Sequence, residues 1–257
     1  NGRGDDIFTI KGEEVPMWNI ANFLNSPSTG NDPYGALYSG IQRANIVLRY
    51  IDQIPASGIT EEDRSMIKGE ALFLRGYQYF LLVNNYKEVP LRLIPSNEDE
   101  TNKGPASEAA LWTQVEEDLG NAIKCNLPVE RTTAKERVTK GAAIAMLGKV
   151  YATQHKYPEA KQLLVSLLSA PYSYELVDDF AKNFTNEEEF NKESVYEIAY
   201  SPDGEYSWSN ESGICLGCYI PQFIGPVKSG GWAKLMPNSF IAASMCGNQR
   251  EGCRYKL

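Results

Sequence analysis

Residues 68–86 read Lys-Gly-Glu-Ala-Leu-Phe-Leu-Arg-Gly-Tyr-Gln-Tyr-Phe-Leu-Leu-Val-Asn-Asn-Tyr. Apolar side chains cover most of the circumference from Leu72 to Val83, which predicts a central, buried helix rather than one lying on a surface. Thr60 stands where a helix cap belongs, with Asp63 three residues on in capping-box position. The helix therefore starts near Thr60 and runs to about Tyr86. Ala71 to Val83 is also the longest apolar-rich window in the chain, and Arg75 and Gln78 break it. Nothing approaches the ~18–20 apolar residues of a membrane span.

Outward from this helix the chain continues in helical periods. Tyr34 to Ile54 places Leu37, Ile41, Ala44, Leu48 and Ile51 on one face, and Pro55 stops it. A Pro-, Asn- and acid-rich loop is expected over 87–105. Ser107 to Lys124 carries Leu111, Val115, Leu119, Ala122 and Ile123 on one stripe and ends before Pro128. Val138–His155 and Tyr157–Ser169 read as a tight helical hairpin closed by Pro171. Beyond it the pattern changes. Glu193–Tyr200 alternates Val195 and Ala199 against Tyr196, Ile198 and Tyr200, which predicts a short strand. The remainder is rich in Gly and Pro and has no clear period.

A template recurs. Ala44/Leu48/Ile51, Val115/Leu119/Ala122 and Ala160/Leu164/Leu167 share one spacing, and each is followed by a proline. Gly76/Tyr79 and Gly148/Tyr151 share another. In a helical hairpin a small residue lets the partner helix approach, and a large one a turn later fills the gap. The best unit, from Leu147 and Gly148 through Tyr151, Tyr157, Ala160, Leu164 and Leu167 to Pro171, fits the ~34-residue tetratricopeptide pattern, with Gly148 expected to face Ala160.

Composition narrows the function. The 257 residues carry 25 Lys and Arg against 33 Asp and Glu, a net charge of −8. No basic cluster offers a phosphate-binding stripe, so nucleic acid is not an expected partner, whereas an uncharged ligand such as a sugar is compatible. Enzyme motifs are missing. Gly148-Lys149 is followed by Val150 where a phosphate loop needs Ser or Thr, and neither Gly-x-Gly-x-x-Gly nor Gly-x-Ser-x-Gly occurs. The single histidine, His155, falls at a helix end and reads as a capping residue. Glu116-Glu117-Asp118 and Glu187-Glu188-Glu189 are consecutive, so they fan outward and read as solvated faces. Neither a catalytic residue, a metal ligand set nor a cofactor is expected. For the cysteines three readings stay open: a zinc knuckle at Cys215 and Cys218, disulfides among Cys215, Cys218, Cys246 and Cys253, or free thiols, with Cys125 alone at a helix end. Arg3-Gly4-Asp5 is too short a motif to weigh.

Five ordered segments together resemble the SusD/RagB family: Arg43-Ala44-Asn45; Lys68 to Tyr86 with Val89-Pro90-Leu91; Val138-Thr-Lys-Gly-Ala-Ala with Leu147-Gly-Lys-Val-Tyr; Tyr157-Pro-Glu-Ala; and Glu193-Ser-Val-Tyr-Glu-Ile. The resemblance implies a mainly α fold of tetratricopeptide-like hairpins, here residues 34–170. A loop-rich ligand-binding cap with short strands would comprise 1–33 and 171–257, all within a single domain of residues 1–257. It implies a lipid-anchored protein on the outer face of the outer membrane, with the anchor outside this sequence. Such a protein captures oligosaccharide or another nutrient without enzymatic chemistry and partners a SusC-like TonB-dependent transporter. Family members run to about twice this length, so the chain reads as a fragment or a short member.

Sugars stack their flat C–H faces on aromatic rings, so Trp18, Asn19, Asn22, Trp208, Tyr219 and Trp232 are the expected ligand-binding residues, with at least one of Trp18, Trp208 and Trp232 largely exposed and the asparagines binding hydroxyls. Trp112, mid-helix beside Leu111, goes to the core. The rival reading is a tetratricopeptide adaptor that binds peptides in a concave groove.

Overall fold

The computed structural model of the chain describes residues 7, 8, 19, 24, 33–99, 101–200, 224, 225, 227–234, 236 and 237. The chain forms two compact units, one of Pro33–Ala199 and one of Asn1–Asp32 with Tyr200–Leu257.

The first unit holds five α-helices: α1 (Pro33–Tyr50), α2 (Glu61–Tyr86), α3 (Glu108–Lys124), α4 (Lys140–Thr153) and α5 (Tyr157–Ser166). Each packs chiefly on its neighbour in sequence, as hairpin-repeat proteins do. Their starts are set by side chains. Thr60 accepts the Asp63 N–H at 3.0 Å and donates its hydroxyl to the Asp63 carboxylate at 2.7 Å. The Ser107 and Thr139 hydroxyls cap α3 and α4 by accepting the N–H groups of Ala110 and Ala142. Arg64 reaches back from α2 to the carbonyls of Ile51 and Ile54 in the turn that follows α1, adding donors where the helical ladder has run out.

α2 is the hub. Phe73, Tyr79, Leu82 and Val83 are buried, and Leu111, Val115, Leu119 and Ala122 of α3 pack into the same core with Ala142, Ala143, Leu147 and Val150 of α4. Glycines mark the close approaches. A Cβ at Gly76 would sit 3.1 Å from Leu119 Cγ, and one at Gly69 only 2.7 Å from Cys125 Cβ. At Gly148 the nearest atoms belong to Leu164, at 2.7 Å, one turn beyond the Ala160 that the repeat spacing suggested; Ala160 is buried beside it. Trp112 packs at the edge of the core, its ring tilted against Phe80 and its Nε1 donating to Glu108 at 3.2 Å.

Two sequence expectations are corrected. Glu193–Tyr200 is irregular rather than a strand. No strand of the helical unit lies beside it among the described residues, and its side chains take other work. Tyr196 sets its edge against Phe73, while the Glu193 and Glu197 carboxylates accept the N–H groups of Val177 and Phe190 at 3.1 and 2.9 Å. Asp118 is not a solvated acid. It is 1% exposed and ion-paired inside the core, whereas Glu116 lies closer to the surface and accepts from Lys156 and Gln154.

His155 is exposed and terminates α4 through its backbone, in the left-handed region (φ 62°), with its N–H bonded to the Ala152 carbonyl at 3.1 Å. Its ring nitrogen Nδ1 pairs with the Tyr157 hydroxyl at 2.7 Å.

In the second unit the described backbone includes an antiparallel pair, β1 (Ile7–Phe8) and β2 (Met236–Pro237), with Ile7 opposite Pro237. A tight loop precedes β2. Ala233 donates its N–H to the Gly225 carbonyl at 3.0 Å, and a Cβ on Gly231 would fall 2.1 Å from that same oxygen. Only glycine fits there.

Candidate functional site

The loop between α2 and α3 is held by polar groups buried in the helices. Arg75 grips Asp118 with two prongs, Nε to Oδ2 at 2.8 Å and Nη2 to Oδ1 at 2.7 Å, and donates Nη1 to the Asn45 side-chain oxygen at 3.0 Å. Asn45 in turn donates its amide hydrogens to the carbonyls of Arg92 and Ile94 at 3.0 and 3.1 Å. The Tyr79 hydroxyl completes the clamp, donating to the Arg92 carbonyl at 2.9 Å and accepting its N–H at 2.7 Å. Burial pushes the Tyr79 phenol well above its ordinary pKa, so it keeps the proton it donates. Two residues of the SusD/RagB-like segments, Asn45 and Arg75, thus pin the loop to the helices.

Above this network lies a cavity of about 430 Å³, within the ~300–1,000 Å³ of small-molecule sites. Tyr34 and Tyr38 wall it from α1, their ring centroids 4.8 Å apart, and Tyr86 meets Tyr34 edge-on at 5.2 Å. The Tyr38 hydroxyl donates to the Pro90 carbonyl at 2.5 Å, and burial holds that phenol protonated. Gln42 accepts the Ser96 N–H at 2.8 Å through its side-chain oxygen. The result is a rigid aromatic wall beside a polar floor whose own hydrogen bonds are already made. A ligand meets a site that needs little ordering on binding.

Of the residues expected from sequence, two are described. Asn19 is half-buried and its carbonyl accepts the Leu24 N–H at 2.8 Å. Trp232 is half-buried on the loop that Gly231 and Gly225 close. Trp18, Asn22, Trp208 and Tyr219 lie outside the described residues, as do Cys215, Cys218, Cys246 and Cys253. Cys125 is a free, half-buried thiol, and burial raises its pKa. Among the described residues no group of His, Cys, Asp and Glu is placed to hold a metal, and no helix is long and apolar enough to cross a membrane.

A family profile described as SusD-like, starch-binding and associating with the outer membrane matches residues 9–152, more than half of the sequence. The chain belongs to the SusD-like family. Comparison with curated proteins gives no match. Among solved structures, a SusD-superfamily protein from Bacteroides vulgatus is 29% identical and aligns with a TM-score of 0.79, over 95% of this chain and 50% of its own. A laminarin-binding SusD-like protein is 28% identical with a TM-score of 0.85, over 96% of this chain and 57% of its own. Surface glycan-binding protein A from Bacteroides thetaiotaomicron, solved with laminarihexaose, is 21% identical with a TM-score of 0.80, over 95% and 53%; at that identity the likeness is one of fold. The chain spans about half the length of these SusD-like relatives.

The tyrosine cavity escaped the reading of the sequence. Tyr34 and Tyr38 are spaced i, i+4 at the start of α1, which is the available signal, but the same spacing serves a core stripe equally well. What makes it a cavity is the return of Pro90 and Arg92 over α1, a contact between residues some fifty positions apart.

Proposed function

We propose that the chain binds neutral oligosaccharide at the outer surface of the outer membrane, held there by a lipid anchor, and delivers it to a SusC-like TonB-dependent transporter without chemical change. The observation that carries this reading is the rigid, tyrosine-walled cavity on a SusD-like helical scaffold. The laminarin-binding relative and the starch-binding family description favour a glucan as ligand. The net charge of −8 suits an uncharged ligand better than a polyanion. In the helical unit Tyr34, Tyr38 and Gln42 are the proposed contacts. In the other unit they are Trp18, Asn19, Asn22, Trp208, Tyr219 and Trp232, with the helices as scaffold of a single SusD-like domain.

Calorimetric titration with maltohexaose and laminarihexaose tests it. Micromolar to millimolar binding of at least one is expected, weakened about tenfold or more by Tyr38→Ala or Trp232→Ala with the fold intact, and with no new reducing ends on prolonged incubation. Failure of both sugars to bind, with an extended peptide bound instead, would favour an adaptor. Co-purification of a TonB-dependent barrel with the tagged protein from outer membranes tests the partner.

A further inference from the structure

The helical unit has a second cavity, about 280 Å³, between the α3–α4 loop and the stretch that follows Pro171. Its walls are fixed. On one side Arg131 donates to the Val138 carbonyl at 3.2 and 3.1 Å and pairs with Glu70 of α2, which also holds Arg137 at 2.7 Å. On the other, Glu193 ties down Val177 and Asn183, each at 3.1 Å, and Glu175 donates its N–H to the Lys192 carbonyl at 2.9 Å. Tyr196 is braced by Phe73.

Three tyrosines line this cavity, and two of them, Tyr172 and Tyr174, stack with rings within 10° of parallel and centroids 6.1 Å apart. The second is seated deliberately close to α4: a Cβ on Gly141 would meet the Tyr174 hydroxyl at 2.2 Å. Around the rings stand polar side chains that the protein itself does not use. The Lys135 ammonium, the Glu130 carboxylate and the hydroxyls of Tyr172, Ser173 and Ser194 line the cavity, and none makes a hydrogen bond or ion pair among the described residues. Parallel rings offer a face for sugar C–H groups. A cation and an anion on the lining of one cavity, neither engaged by the described residues, suit a ligand that both donates and accepts and carries no charge of its own. An acid would face Glu130, and an amine would face Lys135.

We propose that this cavity is a second carbohydrate site, taking one end of a neutral oligosaccharide against Tyr172 and Tyr174, an inference that rests on the glycan-binding reading above. Its volume, just below the ~300–1,000 Å³ range of small-molecule sites, limits it to a mono- or disaccharide unit. The site would make the protein bivalent for a long glucan, whose bound end raises the local concentration of the rest.

The test is nuclear magnetic resonance of the full ¹⁵N-labelled chain titrated with maltohexaose and laminarihexaose. Saturable amide shifts are expected at Ser173, Ser194 and Tyr196 for at least one sugar. Tyr172→Ala should weaken them about tenfold or more, and Lys135→Ala severalfold, while shifts near Tyr38 and Trp232 persist. Lys135 is exposed, so its substitution leaves folding alone should Tyr172→Ala prove disruptive. Shifts confined to the neighbourhood of Tyr38 or Trp232, unmoved by both substitutions, overturn the second site and leave the glycan reading standing. No shift anywhere with either sugar overturns both.

Discussion

Arg75 of α2 and Asp118 of α3 form a two-pronged ion pair at 2.8 and 2.7 Å with both side chains out of water, and the same guanidinium reaches Asn45 of α1. One cation therefore ties three helices together and, through Asn45, the loop they carry. Removing one member of a buried pair strands the other. Arg75→Met should cost about 3–5 kcal/mol in chemical denaturation, and Arg75→Met with Asp118→Leu should cost less than the single change, because no charge is left buried alone. A double variant as damaged as the sum of the singles would show the pair to be unimportant.

Asn45→Leu keeps the volume of the side chain but abandons the carbonyls of Arg92 and Ile94. A loss of about 1–3 kcal/mol is expected. Limited proteolysis is the sharper reading: cleavage should move into residues 87–105 at protease levels that leave the wild type whole.

Glycine positions differ by what an added methyl would meet. At Gly148 the obstruction is the end of the Leu164 side chain, itself 40% exposed and free to turn aside. At Gly69 it is the Cβ of Cys125, which moves only with its backbone. Gly69→Ala should therefore lower the melting temperature more than Gly148→Ala, whereas Gly148→Leu should cost about 1–3 kcal/mol by overpacking.

Acid should loosen the stretch after Pro171. The Val177 N–H, followed by the Asn183 amide, holds the Glu193 carboxyl below its ordinary pKa. A group depressed in the folded state contributes its stability above the unfolded pKa, ~4.3 for Glu, and loses it as pH falls through the folded value. Protection of the Val177 N–H, its hydrogen-exchange rate taken relative to the intrinsic rate at each pH, should fall below about pH 4, and Glu193→Ala should leave that protection low at every pH.

Most of the helical unit could be read from the chain. Thr60 and Ser107 announce helix starts, Pro55 and Pro128 close the connections, and the apolar stripes of α1 and α3 point where the core lies, because all of these act over a few residues. The polar clamp could not be. Arg75 looked like a flaw in an apolar window and Asp118 like one acid in a solvated run; each makes sense only against a partner 43 residues away. Glu193–Tyr200 has the alternation of a strand, but alternation needs a neighbouring edge to become one, and a helical unit supplies none there. The tryptophan set rests on residue chemistry alone; where such a ring stands is fixed by backbone returns, such as Gly231 against Gly225, that no local pattern announces.

The backbone pairing of Val89 with Ala106, sealed by a hydrogen bond of 2.9 Å, brings the two ends of the α2–α3 excursion together. Its root is thus closed by the backbone itself, and Tyr38, Gln42, Asn45, Arg49 and Tyr79 hold the stretch from Pro90 to Glu98 against the helices. Lengthening the excursion beyond Asp99 adds closure entropy of only ~0.6 kcal/mol per doubling. The part beyond Asp99 is in effect an exchangeable cassette: it could be recast while the frame and the gripped half pass on unchanged, and an engineer could graft a foreign loop between Asp99 and Ala106.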